Sequence, residues 1–222
     1  MSDTKESLIK IENLTWWYPD APSFVFENFN MDLDEKDFCF ILWKSGIWKT
    51  TLVKFLIRQL TPPNKMIFYK KEDIARFSDK EVQKYRRKMW VMFQDFKLID
   101  YKTVKENVEL PLEIMWAKSS VIKEKVNELL YNLNLMEKRN VYIPNLSGWE
   151  KQRVAIARAL VGDPEFIIAD EPTGNVDKQA SNNIADTLIK LNKLWNTILF
   201  ITHDLELVEY VSKKHPVKKI KI

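Results

Sequence analysis

The sequence predicts an α/β fold, a parallel sheet with helices on both faces, and three observations predict it. Short apolar runs such as Phe38-Cys-Phe-Ile-Leu42, Glu165-Phe-Ile-Ile-Ala169 and Thr197-Ile-Leu-Phe-Ile-Thr202 read as strands buried on both sides. Stretches of helical period separate them, the alternation expected of a sheet covered by helices. At the start, Ser7 to Tyr18 alternates apolar and polar residues, so a small antiparallel sheet is expected beside the main one. The 222 residues suffice for one domain that buries its own core.

Element by element, Ser7 to Tyr18 and Val25 to Leu33 read as strands joined through a turn at Pro19 to Ser23. Asp37 to Leu42 is a short buried strand. It runs into a loop, Trp43 to Trp48, and a helix from Lys49 that Thr61-Pro-Pro-Asn64 ends. Met66 to Tyr69 is a strand, Ser78 to Lys88 a charged helix and Met89 to Gln94 a buried strand. From about 103 to 161 the spacing is mostly helical, with a break at Tyr142 to Gly148. Strand Glu165 to Ala169, helix Asp177 to Leu194 and strand Thr197 to Thr202 follow. Lys213 to Ile222 reads as a last strand with a solvated lysine face.

Composition excludes several classes. Hydrophobic residues make up 45% and charged residues 30%, which is ordinary for a globular chain rather than a disordered or disulfide-rich one. One cysteine, Cys39, cannot form an internal bridge, so a reducing compartment is expected. The polar start MSDTKESLIK lacks the apolar core of a signal peptide, and no run of 18 apolar residues offers a membrane span. A net charge of +4, from 35 basic and 31 acidic residues, is too mild by itself to argue for nucleic acid, and no nucleic-acid partner is expected.

The loop reads Trp43-Lys44-Ser45-Gly46-Ile47-Trp48-Lys49-Thr50-Thr51. Its strand-loop-Lys-Thr-helix order is that of a phosphate-binding loop, G-x-x-x-x-G-K-[ST], but both defining glycines are tryptophan. Glycine is wanted there because successive N–H groups must turn inward onto phosphate oxygens. The helix N-terminus then adds its positive end. Three further groups support a phosphate site. The strand at 165–169 ends in Asp170-Glu171, a metal-shell carboxylate followed by one able to orient water. Thr202-His203 and Gln94 end other strands where open parallel sheets bind ligands.

The run Leu146-Ser-Gly-Trp-Glu-Lys-Gln-Arg-Val-Ala-Ile-Ala-Arg-Ala-Leu160 resembles the signature motif of ATP-binding-cassette (ABC) ATPases, usually LSGGE or LSGGQ. It precedes Ala169-Asp-Glu-Pro-Thr-Gly-Asn-Val-Asp177 at that family's spacing. Gln94 resembles its Q-loop glutamine, Asn175 to Asp177 its D-loop, His203 its switch histidine and Tyr18 its adenine-stacking aromatic. The resemblance runs from about residue 8 to residue 210.

The resemblance implies a P-loop NTPase (RecA-like) core, with an antiparallel β part and loop over about 8–70. A helical signature-motif part follows over 95–160, and the Walker B, D-loop and switch histidine over 161–210. It also implies ATP and Mg²⁺ as ligands. Residues 43–51, with Tyr18, would hold the nucleotide, Lys49 facing the β- and γ-phosphates. Thr50, Gln94 and Asp170 would hold Mg²⁺, Glu171 would polarise the attacking water and His203 would meet the γ-phosphate. Ser147, Gly148, Trp149, Glu150 and Asp177 would act across a two-fold homodimer. An integral-membrane permease partner would dock through the helical region near 95–140, with the chain cytoplasmic and peripheral on the inner face of the membrane. Within the family, Tyr85 to Leu98 and Thr103 to Leu112, with Phe93-Gln-Asp-Phe96, resemble the branch that acts in cell division. Lipoprotein-release and macrolide-export ATPases are the alternative.

Four glycines and eight tryptophans are an odd pair of counts, since average usage would give roughly 15 glycines. Trp43, Trp48, Trp90, Trp116, Trp149 and Trp195 all stand where the family pattern has glycine. Trp17 fits the same reading and Trp16 is ambiguous. The pattern matches a gene in which UGA encodes glycine, read with a table in which it encodes tryptophan. Taken literally, indoles at 43 and 48 would crowd the phosphate cradle, leaving an inactive scaffold.

Overall fold

The computed structural model describes residues 7–19, 23–42, 48–92, 96–174, 176–194 and 196–221. Strand β1 (Ser7–Trp16) pairs antiparallel with β2 (Phe26–Asp34) and, on its other side, with β4 (Ile67–Tyr69). The two-residue β5 (Glu72–Asp73) completes a sheet in the order β2-β1-β4-β5. The second sheet is wholly parallel. It contains β3 (Phe38–Leu42), β6 (Met89–Met92), β7 (Phe166–Asp170), β8 (Thr197–Thr202) and β9 (Lys218–Lys221), in the order β6-β7-β8-β3-β9.

The continuous apolar strands have a simple cause: their two faces feed two cores. Cys39 and Ile41 of β3 join Phe166, Ile168, Leu199 and Ile201 against helix α1 (Trp48–Leu56) and the antiparallel sheet. Phe38, Phe40 and Leu42 point the other way, among Ile167, Ile198 and Phe200 and residues of α6 (Lys178–Lys193) and α7 (Leu205–Lys214). Cys39 has no exposed surface, and burial pushes its thiol up to about 12. A third apolar cluster holds α3 (Val104–Ile114), α4 (Ser119–Asn132) and α5 (Gly148–Leu160) together. Helix α2 (Asp79–Arg86) lies between β5 and β6 in the chain.

The two sheets are also tied through polar groups. Glu165, just before β7, accepts the Tyr69 hydroxyl at 2.6 Å and pairs with Lys70 at 2.8 Å and Lys88 at 2.9 Å. Burial pushes the Glu165 carboxyl up, but hydrogen bonds from Lys70, Tyr69 and Lys88 outweigh it and bring it down to about 2.

The helical stretch expected from 103 to 161 with one break is in fact three helices. Thr103 caps α3 and Ser147 caps α5, each in a reciprocal bond with the glutamate three residues on. Helix α5 therefore begins at Gly148, the last residue of the expected break. The unexpected break after α3 lies at Trp116, which has φ 56. Its N–H bonds to Glu113 O and the N–H of Ala117 to Leu112 O, both at 3.0 Å. This is the Schellman ending, and its left-handed residue is ordinarily glycine. The indole here is 91% exposed, so packing contributes little to hold the backbone in that conformation. A left-handed non-glycine residue costs about 1–2 kcal/mol, partly offset by the entropy glycine loses on folding. Trp116→Gly is therefore expected to stabilise the chain by about 1 kcal/mol, read as a higher urea midpoint with an unchanged slope. A lower midpoint would contradict the assigned backbone.

Helix α1 also stops earlier than expected, at Leu56. Arg58, with φ 55, sits in the turn that follows. Strand β5 and helix α7 add to the expected elements, and the expected 213–222 strand contracts to β9 because Lys213 and Lys214 belong to α7.

Candidate functional site

The carboxyl ends of β3, β7 and β8 lie side by side. Leu42 pairs with Thr202, Asp170 pairs with Ile201, and the Glu171 N–H continues the register onto Ile201 O at 3.0 Å. This alignment brings together side chains 122 and 32 residues apart in sequence. The Glu171 Oε1 atom accepts from Lys49 Nζ at 2.5 Å and lies 2.8 Å from His203 Nδ1. Glu171 is buried and Lys49 mostly so, whereas His203 is two-thirds exposed. Glu171 also takes a left-handed backbone, φ 47, which turns the chain sharply out of β7.

Asp170, the last residue of β7, stands behind this trio. Burial raises its carboxyl above the usual range, Lys49 draws it back down and Glu171 raises it further. Among the described residues nothing donates a hydrogen bond to that carboxylate. A half-buried oxygen donor left in this way suits a hard divalent cation. At the start of α1, Thr51 is fully buried and its hydroxyl lies 3.0 Å from the Tyr18 hydroxyl, so Tyr18 is fastened to the helix that carries Lys49. Thr50 is exposed beside them.

Other expected residues lie apart from this group. Ser147 and Glu150 bond to each other at the head of α5, with Gly148 and Trp149 exposed between them. Among the described residues no hydrogen bond or ion pair joins them to Lys49 or Glu171. Asp177 caps α6 through the Ala180 N–H at 2.8 Å and shares a groove with Trp149, Gln152 and Asn183. Trp43, Lys44, Ser45, Gly46 and Ile47, Gln94, Asn175 and Trp195 fall outside the described residues.

Trp48 corrects one expectation. Its ring is 2% exposed in the core, edge-on to Phe26 at 6.1 Å. The shared carboxylate oxygen of Glu171 was not legible from sequence, and neither was Arg158, which bonds the chain after β6. The signal for Arg158 was one charge in an otherwise apolar helix segment.

The family model described as ABC transporter matches residues 26–174. The cell division ATP-binding protein FtsE of Bacillus subtilis is 35% identical over 207 residues, covering 93% of this chain and 90% of that one. The methionine import ATP-binding protein MetN of Haemophilus influenzae is also 35% identical over 207 residues, covering 92% of this chain but 60% of the longer relative. Among solved structures, a dimeric post-hydrolysis state of the ATP-binding cassette MJ0796 bound to ADP and Pi superposes with TM-score 0.78. It has 31% identity and covers 91% of this chain and 90% of that one.

Proposed function

This chain belongs to the ABC transporter family and is an ATPase of the ABC type using ATP and Mg²⁺; we propose that it is an FtsE-like subunit that drives an FtsX-like membrane permease in cell division and in control of peptidoglycan hydrolases. The observation that carries the enzymatic part is the meeting of Lys49, Glu171 and His203 on one carboxylate oxygen beside Asp170. Glu171 is the general base, holding the attacking water and taking its proton. Lys49 faces the phosphate tail and His203 the terminal phosphate, so the charge developing on the transferred group meets two cationic or hydrogen-bonding side chains. Mg²⁺, when bound, neutralises phosphate charge, and the Thr50 hydroxyl, Gln94 amide and Asp170 carboxylate are oxygen donors of the kind it takes.

Ser147 and Gly148 head a 13-residue helix whose N-terminus suits an anion. In a two-fold dimer they reach the nucleotide held by the second copy, with Trp149, Glu150 and Asp177 at the same interface. The membrane partner has a seat to match. A groove of about 440 Å³ runs between α2, β6, α3 and α5, with Leu110, Pro111, Ile114 and Met115 along one side. Arg86, Arg87 and Lys97 contribute charge to its lining, in which no carboxylate stands among the described residues. An apolar segment carrying acidic residues fits it. Among the described residues no helix is long and apolar enough to cross a membrane.

The cell-division reading is supported by Phe93-Gln-Asp-Phe96 and by the near-complete mutual coverage with FtsE, against 60% of MetN. A role in lipoprotein release or macrolide export is the second reading, and the membrane protein encoded beside this gene decides between them. Lys49→Ala is expected to weaken ATP binding about 10–100-fold, from the loss of one charged hydrogen bond. Equilibrium titration with a fluorescent ATP analogue measures it, and unchanged affinity would remove Lys49 from the phosphate site.

A further inference from the structure

Arg158 is the one charged residue in Val154-Ala-Ile-Ala-Arg-Ala-Leu160. In the last turn of α5 it is 7% exposed. Its guanidinium donates through Nη2 to Phe96 O at 2.7 Å and through Nη1 to Lys97 O at 2.8 Å. Both residues are left-handed, φ 57 and 47, a pair of consecutive non-glycine positions that local preference disfavours. Burial pulls the arginine down to about 10, and among the described residues no carboxylate lies within ion-pair distance of it. Its Nε is buried without a hydrogen-bond partner. Withdrawing a cation from water is costly, and here two backbone carbonyls accept hydrogen bonds from it. The Trp90 ring lies 5.2 Å away, but neither carbonyl bond depends on the side chain at position 90.

The clamp joins two parts of the site. Helix α5 starts at Gly148 behind Ser147, while Phe96 and Lys97 follow β6, whose Met92 pairs with Ala169 next to Asp170. Arg158 and Lys97 also line the groove assigned to the membrane partner. We propose that Arg158 is a positioning residue that makes α5 and the Phe96–Lys97 turn move as one piece. Displacement in the groove then reaches both the edge of the sheet beside Asp170 and the Ser147 end of α5. The proposal rests on the ABC-ATPase reading of the site above.

The test uses the full chain with glycine at positions 43, 48, 90, 116, 149 and 195, and two variants of it. Arg158→Lys keeps the charge but cannot span both carbonyls, and Arg158→Gln removes the charge. Turnover of the parent is measured first; a parent that hydrolyses no ATP overturns the functional reading itself and is seen before any variant is compared. Given an active parent, both variants should lower kcat about tenfold while the ATP dissociation constant stays within twofold. Amide hydrogen exchange over 96–102 should quicken tenfold, with β7 and β8 unchanged. A kcat within twofold of the parent, a loss that merely tracks ATP affinity, or unaltered exchange at 96–102 overturns the proposal.

Discussion

Glu171→Gln should leave ATP bound and cut turnover by about 10²–10⁴-fold, the range that a positioned general base contributes. The substitution keeps the shape of the side chain and removes its charge and basicity. In the structure one oxygen of Glu171 receives both Lys49 and the His203 ring, so the carboxylate lies at the centre of the cluster rather than on its rim. A neutral amide there still offers a carbonyl oxygen to Lys49 but cannot take a proton from water. Binding and chemistry should therefore separate, with the dissociation constant nearly unchanged and the single-turnover rate collapsing. Undiminished hydrolysis would take Glu171 out of its role and leave the 2.5 Å pair with Lys49 as a purely structural contact.

Restoring glycine at positions 43, 48 and 149 should tighten ATP binding by about 10²–10⁴-fold, equivalent to regaining two charged hydrogen bonds in the phosphate cradle. The expected result has two opposing parts. The buried Trp48 ring contacts Phe26 in the core, and removing a core tryptophan costs about 3–5 kcal/mol where the site cannot collapse. The nucleotide-free protein should thus melt lower than the tryptophan chain, while the rise in melting temperature on adding ATP should be larger. Both are read in one thermal scan with and without nucleotide. If ATP affinity does not change, tryptophan is compatible with the cradle and the decoding explanation fails. The gene gives an independent answer, since UGG codons at these positions would exclude it.

Much of the architecture was readable because the parallel strands are buried on both faces and appear as unbroken apolar runs; β3, β7 and β8 fell within a residue or so of expectation. The elements without a sequence signal lack it for local reasons. The β4–β5 hairpin turns on Lys70-Lys71, both left-handed at φ 46 and 71, where the recognisable signal would be Asn-Gly. The end of α3 at Trp116 was hidden in the same way, because a bulky residue occupies the position that glycine usually marks. The site was legible as a set of motifs, since Lys49, Asp170, Glu171 and His203 each end or begin an element. Their convergence on one oxygen depends on strand register, and sequence spacing carries no trace of that. Arg158 shows the limit from the other side: its partners are main-chain carbonyls, and those leave no residue-type signature.

The lone thiol of Cys39 lies at zero exposure in the middle of β3, flanked by β8 and β9, and burial keeps it protonated at neutral pH. An alkylating reagent can reach it only when the core that holds its side chain, between β3, helix α1 and the antiparallel sheet, opens. The rate of label uptake is therefore a built-in clock for the opening of that core, and its slowing by added ATP would register ligand engagement without any measurement of phosphate release.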